Sequence, residues 1–227
     1  MRFTILLLLL PILSQAQSTL YLKAAVGNYA MTGMRKFQQE LVDAYENDGI
    51  PAKAVLAYPV SLQGEFGIDL HSDKISKGVF FNYAITEGRI YYGDYSGETF
   101  VHQNVSRIFF GYKVGRKLTK SLDVSWKLGP NFSYLEMISS TQLTDMEALT
   151  ETLNFRSIGG SLTTSFNYTI PVKRFRFIFG GGLELNYNGK TNYPEQKGAY
   201  LSNEGGNPVL LNWTGFRLDA GIGYSLD

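Results

Sequence analysis

The chain has 227 residues, 44% of them hydrophobic, with 21 basic and 20 acidic residues, no cysteine and a mean hydropathy of −0.10. The near-zero net charge argues against a nucleic-acid binder, which needs a basic stripe; without cysteine there is no disulfide, thiol nucleophile or Cys-based zinc site. Bulky apolar residues argue against disorder, and no internal apolar run approaches the roughly 18–20 residues of a spanning helix.

Residues 1–16 read MRFTILLLLLPILSQA: one positive charge at Arg2, an apolar block from Phe3 to Leu13, then Ser14-Gln15-Ala16. This is the layout of an export signal cleaved after Ala16, so the mature chain is predicted to begin at Gln17. The block is too short to span a bilayer. Removing it takes away Arg2 and no acid, which leaves the mature charge balanced.

The remaining chain has period two, the signature of strands lying between two unlike environments. A first strand is predicted over about 19–31. Loop one, about 32–54, contains Met34, Phe37, Leu41 and Tyr45 at helical spacing, with Arg35, Lys36, Glu40 and Asp43 interleaved, and predicts a short amphipathic helix. Strands follow over about 55–70 (Leu62, Gly64, Phe66, Ile68 and Leu70 against Gln63, Glu65 and Asp69), 77–93 and 100–114 (Ile108, Phe110, Tyr112 and Val114 against Arg107, Phe109, Gly111 and Lys113). The cleanest alternation comes later. In 122–134, Leu122, Val124, Trp126, Leu128, Phe132 and Tyr134 oppose Asp123, Ser125, Lys127, Asn131 and Ser133. Segments 157–170, 174–188 and 216–226 repeat the pattern, and in these four strands every charge sits on the face made of Ser, Thr, Asn and Gly. Loop three, 139–152, carries Thr144-x-x-Glu147, which resembles a helix capping box before Ala148 and Leu149.

Eight strands of about ten or more residues exceed ordinary globular lengths and match tilted membrane-crossing strands. Short connections at 71–76, 115–120 and 171–174 alternate with long ones at 32–54, 139–152 and 189–211; the link at 94–98 is a short exception. A soluble lipocalin-like barrel would line its cup with the large apolar side chains and wet its exterior. Here the charge-free face is the bulky aromatic one, which suits lipid. The small polar face suits the interior of a narrow barrel.

The signal ending SQAQ, eight amphipathic strands, the DYSGE hairpin (Asp94–Glu98) and the Gly-rich last strand resemble the small outer-membrane β-barrel family of Gram-negative bacteria, over nearly all of residues 17–227. The resemblance implies an all-β, eight-stranded antiparallel up-and-down transmembrane barrel with short periplasmic turns and longer extracellular loops. It also implies an outer-membrane location, contact with outer-membrane lipid and lipopolysaccharide, and assembly by the barrel-assembly machinery. Such barrels usually end on an aromatic residue, whereas this sequence ends Tyr224-Ser225-Leu226-Asp227.

Chemistry-bearing motifs are few. His102 has Ser96, Glu98 and Ser106 nearby in sequence, the ingredients of a lipid A-modifying enzyme, but no spacing places a nucleophile in reach. An ordinary rim residue is the better reading of His102, and His71 falls in a short turn. Asp43, Glu46 and Asp48 do not match a calcium loop, and Gly180-Gly181-Gly182 precedes no helix that could cradle phosphate. The sequons at Asn104, Asn131, Asn167 and Asn212 read as chance in an Asn-, Ser- and Thr-rich chain. No cofactor or metal site and no catalytic residue is therefore assigned. The expectation is a non-enzymatic envelope or surface-interaction protein, its loops available to an extracellular partner, with a lumen filled by charges: Asp123, Lys127, Arg176, Glu184, Arg217 and Asp219. Two alternatives stand beside it, a lipid A-modifying enzyme and a soluble periplasmic barrel binding an apolar ligand.

Overall fold

The computed structural model describes residues 17–95, 97–144 and 147–226; the export signal at 1–16 lies outside the described residues. Strand β1 (Gln17–Tyr29) is followed by helix α1 (Thr32–Asn47), a short β2 (Lys53–Ala57), β3 (Ser61–His71), β4 (Ile75–Asp94), β5 (Gly97–Lys117), β6 (Leu122–Leu143), β7 (Leu149–Val172), β8 (Phe175–Asn188) and β9 (Gly215–Ser225). Every pairing is antiparallel between sequence neighbours. Strand β1 pairs with both β3 and β9, so eight strands close into a ring and no edge remains.

The segment predicted as one strand over 55–70 is two. Strand β2 pairs with the upper part of β4 (Lys53↔Tyr91, Ala57↔Gly88), and β3 pairs with the lower part from Leu62↔Ile85. Between them Tyr58 adopts a left-handed backbone (φ 48), and Pro59 follows without an N–H for the ladder. Strands β6 and β7 also run further than the alternation suggested, 22 and 24 residues, so most of loop three is strand. The capping-box reading there is corrected: β7 starts at Leu149, and Thr144 donates its hydroxyl to the Tyr95 carbonyl at 2.9 Å instead of capping a helix.

Side chains separate as the alternation requires. Leu62, Leu128, Leu185 and Phe216 point outward and are 59–69% exposed, whereas Glu65, Lys127, Glu184 and Arg217 point inward and are 1% exposed. Midway up β5 and β6 the strands come unusually close. A Cβ on Gly129 would fall 2.0 Å from the Phe110 carbonyl oxygen, which only glycine tolerates. Pro130 beside it cannot donate to β5.

Above this band the pattern inverts. On β4–β7 the outward residues become Glu87, Arg89, His102, Asn104, Glu136, Asn154 and Arg156, while inward ones become Ile90, Val101, Val105, Leu135, Met137 and Phe155, mostly buried. The lower barrel is apolar outside and polar inside; its upper continuation is an ordinary soluble wall with an apolar interior. On β5 the apolar exterior runs from Ile108 to Val114, bounded by Ser106 and Arg116. About ten residues at ~3.3 Å per residue and a tilt near 40° cover about 25 Å, the height of a barrel's lipid-facing band.

Candidate functional site

The upper interior is closed by a cap. Helix α1 leaves β1 through Met31, in left-handed conformation (φ 43), whose N–H donates to the Asn212 carbonyl at 3.2 Å. Met34, Phe37 and Val42 form its buried stripe, with Leu41 and Tyr45 packed alongside, the amphipathic face expected from the sequence. Gly49 (φ 81) ends the helix with the left-handed turn favoured after a C-terminus, and the Ile50 N–H bonds the Tyr45 carbonyl at 2.8 Å. Gln38, fully buried, donates to the Leu56 carbonyl at 2.8 Å, and Arg35 to the Tyr58 carbonyl at 3.1 Å. Tyr58 drops inward onto Gln103, and burial pushes its phenol well above the usual range.

The second half of the cap is the segment between β8 and β9. Val209, Leu211 and Trp213 join the apolar cluster of Met31, Met34, Leu135 and Phe155. The Trp213 indole N–H donates to Ser133 Oγ at 3.2 Å, and its ring meets Tyr29 edge-on with centroids 5.4 Å apart. Gly33 lies against the backbone of Leu210, where a Cβ would come within 2.7 Å of its carbonyl oxygen. Helix and loop thus fit together with no room for a side chain.

Beneath the cap, charged groups fill the lumen. Arg107 forms a two-pronged pair with Glu184, and its guanidinium carbon sits 4.8 Å from the Trp213 ring centroid and 5.4 Å from that of Phe109. Tyr29 donates to Glu184 at 3.1 Å and accepts from Gln63 at 2.7 Å. Lower down, Glu65 Oε2 accepts from Lys127 Nζ at 2.7 Å and from Arg217 Nη2 at 2.8 Å. Arg217 also approaches Asp219 (3.6 Å), whose other oxygen takes Lys23 Nζ at 2.7 Å; Lys23 reaches Asn167 at 2.9 Å. Lys113 pairs with Asp69 at 2.6 Å nearer the short turns. An aromatic cluster of Tyr21, Phe80 and Phe109 fills the space between, Phe80 and Phe109 meeting edge-on at 4.7 Å.

Of the six charges singled out in the sequence, the structure brings Lys127, Arg217 and Asp219 into one network around Glu65 and gives Glu184 to Arg107. The other two stand apart. Asp123, half-buried at the short-turn mouth, accepts from Asn167 at 2.8 Å, and Arg176 faces His71 at 3.3 Å. Sequence reasoning left Lys23, Glu65, Asp69, Arg107 and Lys113 out of the set, although four of them stand on the polar side of the alternation in 55–70 and 100–114. A lumen filled in this way offers no apolar cup to a ligand.

His102 faces outward above the apolar band, its Nε2 2.7 Å from Glu87 Oε2. Ser96 lies outside the described residues. The same outer wall holds a groove of about 920 Å³. Leu62, Tyr83, Ile85 and Tyr134 form its apolar floor, and Glu87, Asn104, Glu136 and Arg156 form its polar side; Pro59–Val60 and Pro194–Glu195 overhang it. Asn104 donates to Glu136 at 3.0 Å, and the Arg156 guanidinium lies 5.9 Å from the Tyr134 ring centroid. The groove straddles the line where the exterior changes from apolar to polar.

These features define a class: a closed eight-stranded antiparallel barrel with a lipid-like exterior, an ion-paired lumen and a capped end. Similar solved structures include Ail, the attachment invasion locus protein of Yersinia pestis, at 10% identity over 93% of this chain and 99% of that one, TM-score 0.40. The same protein in complex with the heparin analogue sucrose octasulfate gives 9% identity, the same coverage and a TM-score of 0.39. Neisserial surface protein A gives 11% identity over 92% of this chain and 97% of that one, TM-score 0.34. No protein-family model and no curated protein matches the chain. At such identities and scores, the class rests on the barrel's own geometry.

Proposed function

We propose that the chain is an integral outer-membrane protein without catalytic activity, closed to solutes, whose capped outer end meets a partner beyond the membrane. The observation that carries this reading is the inversion of polarity part-way up β4–β7. An exterior that is apolar for about 25 Å and then turns charged matches a wall leaving lipid for water. The band faces outer-membrane lipid, with lipopolysaccharide around its upper edge, and the barrel-assembly machinery inserts it. A charge-filled lumen under a packed cap fits an envelope or surface role better than transport, since open aqueous channels go with about 16–18 strands. The elongated wall and the cap form the surface through which the chain contacts other molecules.

Fractionation tests the membrane assignment. The protein should resist carbonate and urea washing, require detergent for release, and migrate differently on gels before and after boiling. Release by carbonate alone would overturn the reading. Planar-bilayer recording tests closure: large, stable conductance steps would refute it.

A further inference from the structure

The neutral mature chain is electrically polarised along the barrel axis. Above the apolar band, acidic residues outnumber basic ones, as in Glu40, Asp43, Glu46 and Asp48 of the cap helix and its exit turn. The short-turn end is the reverse. Its three turns and the strand ends beside them carry Lys74 and Lys77, then Arg116, Lys117 and Lys120, then Lys173, Arg174 and Arg176; Asp73 is the one carboxylate in those turns. Among the described residues none of these eight cations has a carboxylate within ion-pair distance, in contrast to the fully paired lysines and arginines of the lumen. A ring of uncompensated like charges is self-repelling and is relieved by an anionic surface lying against it.

The placement of three of them says which surface. Lys77 points outward between Ile75 and Val79, and Arg116 points outward next to Val114, on the neighbouring strand. The Arg174 guanidinium reaches the Tyr224 hydroxyl at 3.4 Å, beside the Phe175–Tyr224 aromatic pair at the edge of the band. Each therefore has its aliphatic stem on apolar surface and its charge at the boundary, the snorkelling arrangement of a headgroup-level cation.

We infer that the short-turn rim docks the anionic phosphodiester headgroups of the bilayer leaflet at that end, held by Lys77, Arg116 and Arg174. The inference rests on the membrane reading above and adds to it a lipid class and a side. The inward-turned Lys117, Lys120 and Arg176, around a cleft of about 80 Å³, add to the field without touching lipid. Cations near a membrane surface each strengthen attachment to anionic lipid about five-fold, an effect that falls with salt.

The mature chain is refolded into phosphatidylcholine vesicles with and without phosphatidylglycerol, then extracted gently, and the retained lipids are weighed by native mass spectrometry. The expected result is retained phosphatidylglycerol enriched over its share of the vesicle, declining as salt rises. Combined Lys77→Gln, Arg116→Gln and Arg174→Gln should abolish the enrichment while leaving heat-modifiable mobility intact. Arg35→Gln, Lys36→Gln and Lys53→Gln, at the capped end, should preserve it. Enrichment that is absent in the parent, insensitive to salt, or unchanged in the rim variant overturns the inference while the membrane reading stands. Failure to embed in either vesicle overturns both.

Discussion

Glu65 is the centre of the lower lumen, and Glu65→Gln is the most informative single change. The substitution keeps the shape and one acceptor oxygen but removes the charge facing Lys127 at 2.7 Å and Arg217 at 2.8 Å, both 1% exposed. At an effective dielectric constant near 20, each contact represents about 6 kcal/mol of gross attraction, most of it offset by the desolvation of the ions. Removing one member of a buried pair costs about 3–5 kcal/mol net. Two cations depend on this carboxylate, but Asp219 still approaches Arg217 at 3.6 Å, so about 4 kcal/mol is expected. With a urea slope of about 2 kcal/mol/M the midpoint falls by about 2 M. The assay is urea unfolding of the vesicle-embedded barrel, followed by tryptophan fluorescence and by the boiled–unboiled gel shift. Adding Lys127→Met to the variant removes a stranded cation and should recover at least about 1 kcal/mol. A midpoint within about 0.3 M of the parent, at unchanged slope, would show that the network contributes little.

Phe66→Arg, mid-band on the exterior, should cost about 2–4 kcal/mol and reduce insertion into vesicles, whereas Leu149→Arg on the outer extension should leave insertion unchanged; equal behaviour of the two would refute the placement of the band. Trp213→Ala should cost the cap about 3–5 kcal/mol. It should be read as faster proteolytic cutting within 189–211, with the barrel's gel mobility preserved, and a cutting rate equal to the parent's would contradict the packing described. Gly33→Leu forces a side chain into the Leu210 backbone and should raise amide exchange across α1 and 209–213; unchanged protection would mean that helix and loop are not seated on one another. Asp123→Asn, which keeps the acceptor for Asn167, should change stability by less than about 1 kcal/mol, measured by the same urea titration; a larger loss would mean that Asp123 belongs to the ion-pair network after all.

The strands that were easiest to read are those whose contrast is uniform. Strands β8 and β9 lie almost wholly within the band, so one rule, apolar out and polar in, holds from end to end. In β4 and β5 the rule reverses at Glu87 and Asn104, and alternation judged over the whole segment weakens although each half is regular. The same reversal ended the legible part of β6 near Tyr134 and began that of β7 near Ser157. The cap helix was visible because Met34, Phe37, Leu41 and Tyr45 keep one face, but its partner was not. Val209, Leu211 and Trp213 belong to an irregular segment, and no period announces which apolar loop residues will meet a helix. The lumen pairs join residues far apart in sequence, Lys23 with Asp219 and Arg107 with Glu184. Alternation assigned their face, but only the closed ring determines which residue lies opposite which.

The inversion of polarity along one strand has a further consequence for assembly. A hairpin that pairs one residue out of step normally makes a single kind of error, presenting the wrong face to one environment. In β5 the error would be made twice over. Arg107 and Lys113 would turn toward acyl chains while Ile108 and Tyr112 entered the lumen, and higher up Val101 and Val105 would meet water while His102 and Asn104 were pressed under the cap. Two solvents thus inspect the same pairing from opposite ends, and only one alignment satisfies both. The chain carries its own error check, in which the lipid reads the lower half of each long hairpin and the water reads the upper.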